Sequence, residues 1–147
     1  MALDTQVSQK ISLAQLQDIT DASSRANLLA GTNGLGYVTG VGGAVTQETS
    51  VTTAVVLNKL CGQINTFSLA LAAGVDTSFT LTNSTIAAGD VVAVSTKSYG
   101  GTADGIPVAS VVATAAGSCI INIRNTGAVT LDALAVINFA VIKAVAA

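Results

Sequence analysis

Cys61 and Cys119 are the only thiols in the chain, and histidine is absent altogether. A structural zinc site takes four nitrogen or sulfur ligands, so two thiols with no imidazole to complete the set do not build one. Loss of histidine also removes the commonest general base. Serine is plentiful, but a serine nucleophile needs a base beside it. A Ser–Lys pair remains as the alternative, and surface serines with surface lysines is the favoured reading. No basic residue adjoins either cysteine in sequence to activate its thiol. Free cysteine is most often a small buried hydrophobe. A disulfide between the two is the lesser alternative for a chain assembled in the cytoplasm.

Gly34, Gly36 and Gly40 form G-x-G-x-x-x-G, one residue longer than the dinucleotide fingerprint. That cradle needs a strand before it and a helix dipole after it. Here the order of expected elements is reversed, so the glycines read as a hinge. Asp76, Asp90 and Asp104 sit at loop-like positions with no D-x-D-x-D run, so they read as solvated turn residues rather than a calcium site. Asn83-Ser84-Thr85 matches a glycosylation acceptor, but with no secretory signal it reads as a turn. These residues imply no catalytic group, no cofactor and no metal, and the chain is not expected to be an enzyme.

Composition narrows the field further. Of 147 residues, 50% are hydrophobic, 10% charged and 3% aromatic, and the net charge is −2. A typical soluble domain is about 25% charged. Six Lys and Arg along the whole chain give no phosphate-binding footprint, so nucleic acid is not an expected partner. The longest apolar run, Leu134–Ala147, carries Asn138 and Lys143 and is too short to span a membrane. No apolar stretch opens the chain, so it reads as soluble and cytoplasmically made. From Thr52 onward only Lys59, Asp76, Asp90, Lys97, Asp104, Arg124, Asp132 and Lys143 are charged. Apolar surface that charge does not cover tends to be covered by another chain, which implies an obligate oligomer or a part of a large assembly.

Three segments organise these residues. In residues 1–31, Leu13, Leu16, Ile19, Ala22, Ala26 and Leu29 recur every three or four positions, which predicts a helical arm with one apolar face. Ser12 and Gln15 fit a capping box, and Gly31 stands where the helix would stop. Residues 32–43 read as a Gly-rich linker, since Gly31–Gly43 holds six glycines in thirteen residues. Residues 44–147 are rich in Thr and Val, which suit pleated surfaces. Seven or eight strands are expected, near 45–47, 53–58, 62–68, 77–82, 91–96, 106–114, 119–125 and 134–143. Turn signals such as Ala73-Gly74, Ala116-Gly117 and Asn125-Thr126-Gly127 separate them. Short, evenly spaced strands predict a mainly β fold, an antiparallel, jelly-roll-like sandwich.

The stretch GVGGAVTQETSVTTAVVLNKLCGQI (40–64) resembles the opening of a small β domain found in virion proteins of tailed bacteriophages. FTLTNSTI (79–86), GSCIINIRN (117–125) and AVINFAVIK (135–143) are similar to later blocks of that family. The likeness covers about two thirds of the chain and rests on structural rather than catalytic motifs. It implies a capsid decoration (cement) protein on the head exterior, assembled in the host cytoplasm. Its expected partners are itself, as a homotrimer, and the major capsid protein. In that role Leu13, Leu16, Ile19 and Leu29 would anchor the arm on its partner, with Gly34, Gly36 and Gly40 as the hinge. The alternative is a tail-fibre or tail-associated module recognising a host surface, for which Tyr99, beside Gly100-Gly101, is the one convincing aromatic anchor.

Overall fold

The computed structural model describes residues 28–31, 34–37 and 40–144. The chain divides into two compact units, Met1–Gly40 and Val41–Ala147. The described residues contain no helix, and the protein is mainly β.

In the first unit, β1 (Leu28–Gly31) and β2 (Gly34–Tyr37) form an antiparallel ribbon, with Leu29 opposite Gly36 and Gly31 opposite Gly34. This corrects the expected end of the arm. Leu29 is a strand residue, and Gly34 and Gly36 lie in β2 rather than in an unstructured hinge. Two short segments, Leu28–Gly31 and Gly34–Tyr37, lie close enough in sequence to pair as a ribbon, and here that outweighs the three-to-four spacing. Gly40 does mark a bend, with φ of 91°. Leu13, Leu16 and Ile19 lie outside the described residues.

Eight strands form in the second unit, one near each expected range. They are β3 (Gly43–Thr46), β4 (Val55–Val56), β5 (Cys61–Asn65), β6 (Asp76–Thr82), β7 (Val91–Tyr99), β8 (Pro107–Ala115), β9 (Ser118–Asn125) and β10 (Ala135–Ile142). They form two four-stranded sheets, ordered β3-β5-β10-β7 and β4-β6-β9-β8. Both sheets are mixed, which corrects the expectation of antiparallel pairing throughout: β3 pairs parallel with β5, and β4 parallel with β6. The chain changes sheet at every connection from β3 to β8 and again from β9 to β10. A chain that reverses at each connection while changing sheet returns to its first sheet running the original way, and so lies parallel to the strand it left. Only β8 and β9 are consecutive partners in one sheet, joined through Gly117 at φ 80°.

One core lies under both sheets. The first contributes Ile64, Val92, Ile137, Phe139 and Val141; the second contributes Val55, Phe79, Leu81, Cys119, Ile121 and Ile123. Period-two alternation produces this directly. In β9, Cys119, Ile121 and Ile123 are buried, while Ile120 and Arg124 are exposed. Gly62 lies where the parallel β3–β5 pair crosses the core edge. A Cβ there would stand 2.6 Å from Gly43 O and 2.9 Å from Leu57 Cδ2.

Buried side-chain amides hold several stretches of loop backbone. Gln47 Nε2 donates to Thr53 O (2.7 Å) and Val51 O (3.2 Å), and its Oε1 accepts from Phe67 N at 3.1 Å. Asn83 Nδ2 donates to Lys59 O at 2.6 Å, and its Oδ1 accepts from Thr85 N at 3.0 Å. Asn125 Nδ2 donates to Leu71 O (2.9 Å) and Val129 O (2.7 Å), and its Oδ1 accepts from Gly127 N at 3.0 Å. No buried side-chain polar atom among the described residues lacks a partner. This matters because an unpaired buried amide costs about as much as a lost core contact.

Candidate interaction surface

The residues singled out for chemistry do not converge. Cys61 pairs opposite Ala140 at the ladder of the first sheet and is half-buried, whereas Cys119 is buried in the core of the second. Both thiols are free. Burial pushes the Cys119 thiol up to about 11 and raises that of Cys61 as well, so neither is primed as a nucleophile. Asn83, first residue of the acceptor-like triplet, is fully buried and tied to Lys59 O. Among the described residues no three His, Cys, Asp or Glu side chains group into a metal site.

The aspartates have separate structural tasks. Asp90 caps the end of the body: its Oδ2 accepts from Ala87 N at 2.8 Å and pairs with Lys143 Nζ at 2.6 Å. The Ala87 N–H, followed by the Lys143 ammonium, holds its carboxyl below the ordinary carboxylate value. Lys143 Nζ also donates to Thr85 O. Asp132, which sequence reasoning did not single out, gathers the loop after β7. Thr102 Oγ1 donates to its Oδ2 at 2.6 Å, and Tyr99 OH and Thr102 N donate to its Oδ1 at 2.7 and 3.0 Å. The Thr102 hydroxyl, then the Tyr99 phenol, lower the Asp132 carboxyl to about 2. Tyr99 OH in turn accepts from Asp132 N at 2.7 Å. The tyrosine offered as a ligand anchor is therefore half-buried and spent on its own loop. Asp104 lies in an exposed turn, where its carbonyl accepts from Ala128 N at 3.1 Å.

With charge confined to loops and ends, the outward faces of the sheets are nearly neutral. On the first sheet, the residues paired across the outward rows are Ala44, Gln63, Asn138 and Ser95, then Cys61, Ala140 and Ala93, with Ile142 beside Val91. Ile142 and Val91 are exposed, and β10 carries no charged residue. Lys97 occupies the irregular register step of edge strand β7, a position where lysine blunts an edge.

On the second sheet the outward rows are Val56–Thr82–Ser118–Ala115, Thr80–Ile120–Ala113, Ser78–Asn122–Ser110 and Asp76–Arg124–Val108. Val56 is 60% exposed, Val112 63% and Ile120 39%. Val112 is the extra residue at the β8 bulge, a device that re-aims side chains. Asp76 and Arg124 are the sole charged residues in these rows, side by side at one end. Asp76 Oδ2 accepts from Asn122 Nδ2 at 2.7 Å, and Arg124 enters no ion pair among the described residues. The outward set Ile120, Asn122, Arg124 was readable from the alternation of β9. Its neighbours on β6 and β8 were not, because they depend on strand order. No protein-family model, curated protein or solved structure matches the chain.

Proposed function

We propose that the protein is a structural virion component: a head decoration (cement) protein that binds the outer capsid surface as a homotrimer and bridges neighbouring capsomers. The observation that carries this reading is the near absence of charge on the outward faces of both sheets, with exposed Val56, Val91, Val112, Ile120 and Ile142 standing on them. Uncharged sheet faces that expose several valines and isoleucines fit surfaces that meet another protein. In β10, Val136, Asn138 and Ala140 alternate with fully buried Ile137, Phe139 and Val141 and are themselves half-buried, the pattern of a strand expected to be covered on both sides.

The finer architecture in this reading is a β-sandwich, two sheets closed over the shared core, with residues 1–40 as an arm reaching a neighbour. A two-stranded ribbon such as β1–β2 is marginal by itself in water, which suits a segment that gains its stability on a partner. Many copies, each adding a modest contact, would reinforce a shell through avidity. A tail module reading a host glycan has less support, since the Tyr99 phenol is engaged by Asp132.

The test images the labelled full-length protein on virions. Even coverage of the heads is expected, and a signal confined to tails overturns the reading.

A further inference from the structure

We propose that the outward face of the first sheet binds a neutral glycan, held by the side-chain amides of Gln63 and Asn138 and stacked at one end on Phe67. The inference goes beyond the proposed function and does not rest on it, because it concerns the isolated protein.

The amides single this place out. Residues 41–144 hold eight Asn and Gln side chains. Six of them bond within the chain, as Asn65 does to Thr46 Oγ1 and Asn58 to Ser84 N. The other two, Gln63 and Asn138, bond no described residue, and they are direct register partners of β5 and β10. Both are half-buried in the middle of the sheet, and their polar atoms reach solvent. An amide without a partner presents two donors and an acceptor oxygen. Two of them side by side match adjacent ring hydroxyls, each of which donates and accepts. Ser95, opposite Asn138, adds a hydroxyl to the row. Lys97, at the irregular step of β7, is the sole charged residue in the four strands, so the row suits a neutral ligand rather than an ionic one.

The surroundings have the shape such a ligand needs. On one side of the row the side chains are small, with Cys61, Ala140 and Ala93 next along the strands. On the other side the ladder continues past β5, where Thr66 N donates to Ala135 O at 2.9 Å. Alternation puts Phe67 and Leu134 on the outward side there, 41% and 47% exposed. Gln63 lies four positions before Phe67, roughly 13 Å along the strand, about the length of two or three linked sugar rings. A glycan laid along β5 rests the apolar face of one ring on Phe67 and turns the hydroxyls of another to the amides.

The placing of polarity separates this face from a protein contact. A protein interface has an apolar centre and a polar rim. Here the amides hold the centre, and the exposed apolar residues stand at the ends, Phe67 and Leu134 at one and Val91 and Ile142 at the other. The second sheet is the reverse, with Ile120 between Thr80 and Ala113 in its middle, and it better suits the shell contact of the proposed function. Tyr99, engaged by Asp132, takes no part.

The experiment is affinity electrophoresis of the full-length protein in native gels cast with a soluble neutral glucan, mannan or galactan, with alginate as the acidic control. At least one neutral polysaccharide is expected to retard the wild type. Gln63→Ala and Asn138→Ala each remove hydrogen bonds that nothing else replaces, and each is expected to weaken the apparent Kd about ten-fold. Phe67→Ala is expected to weaken it to a similar degree, and Ile120→Ala, on the second sheet, to bind like the wild type. Circular dichroism checks that each variant folds; should Phe67→Ala fail to fold, Phe67→Leu removes the ring and keeps the bulk. No retardation by any of the three neutral polysaccharides, stronger retardation by alginate, or retardation that survives both amide substitutions each overturns the inference. Evenly covered heads with a protein that no polysaccharide retards overturn this site alone. A retarded protein found only on tails overturns decoration alone.

Discussion

Replacing Asn125 by alanine tests the idea that buried side-chain amides hold loops of this body. The side chain is fully buried and bonds three backbone groups: Leu71 O, Val129 O and Gly127 N. In the variant, Leu71 O keeps Leu131 N at 2.9 Å, so one carbonyl stays paired. Val129 O and Gly127 N lose the amide. Both belong to half-buried residues, so each is charged at the low end of the desolvation range, about 1 kcal/mol, and the third lost bond adds about 1 more. The expected destabilisation is roughly 3 kcal/mol, which lowers Tm by about 12 °C at about 4 °C per kcal/mol for a body of this size. The assay is thermal unfolding by circular dichroism at neutral pH, with Thr126→Ala as an exposed control expected within about 0.5 kcal/mol of wild type. Asn125→Asp sharpens the test. It keeps the size and the acceptor but turns a carboxylate toward two carbonyls, which raises its folded pKa above the unfolded one. A group raised in this way destabilises above its unfolded pKa and recovers as pH falls, so its deficit relative to wild type should shrink on acidification. A Tm for Asn125→Ala within about 3 °C of wild type would refute the reasoning.

Gly62→Ala should cost about 1–3 kcal/mol in urea unfolding, because its Cβ would stand 2.6 Å from Gly43 O across a ladder that has no slack; unchanged stability would mean that the β3–β5 approach is wrong. Acid should melt the protein in a defined window. Asp90 and Asp132 are both held below the ordinary value of 3.8, Asp132 at about 2. A depressed carboxyl contributes stability that is present above its unfolded pKa and lost as pH falls through the folded one. Tm should therefore fall between about pH 4 and pH 2, and Asp132→Asn should flatten that slope; an equal slope in the variant counts against the Asp132 cluster. Thiol labelling of the native protein at neutral pH should modify half-buried Cys61 and spare Cys119, which is buried with its thiol raised to about 11; equal labelling rates would place Cys119 outside the core.

The strands of the body were legible because each carries its own signal. Phe79 and Leu81, or Ile121 and Ile123, alternate with polar neighbours, and the alternation survives in the burial of β6 and β9. Glycine turns were legible for the same local reason, as at Gly74 and Gly117, which adopt φ of 77° and 80°. Strand ends were less so. β7 passes Thr96 and reaches Tyr99 through the irregular step at Lys97, and periodicity breaks at such a step. Parallel pairing of β3 with β5 was not readable, because it follows from which sheet the chain enters next, a long-range choice that no single strand records. The ribbon of Leu28–Gly31 and Gly34–Tyr37 was not legible because leucines spaced three or four apart suggest a helix through Leu29, whereas the outcome is set by the pairing of two short segments. Asp132 escaped notice for a related reason: its partners Tyr99 and Thr102 lie some thirty positions away in sequence.

What unites these particulars is where polarity has been placed. A chain with so few ionisable groups still has to satisfy every loop amide that leaves the sheets, and it does so with Gln47, Asn83 and Asn125, side chains that carry both a donor and an acceptor and no net charge. A charged group in the same buried positions would carry a desolvation cost that an amide avoids. The charges that remain are tied down at ends and loops, as Asp90 is by Lys143 and Asp132 by Thr102 and Tyr99. Asp76 and Arg124 stand differently, directly opposite each other on the outward face of the β6–β9 ladder. Within a single chain, unlike charges directly opposite each other favour this register of β6 and β9, worth about 0.2–1 kcal/mol.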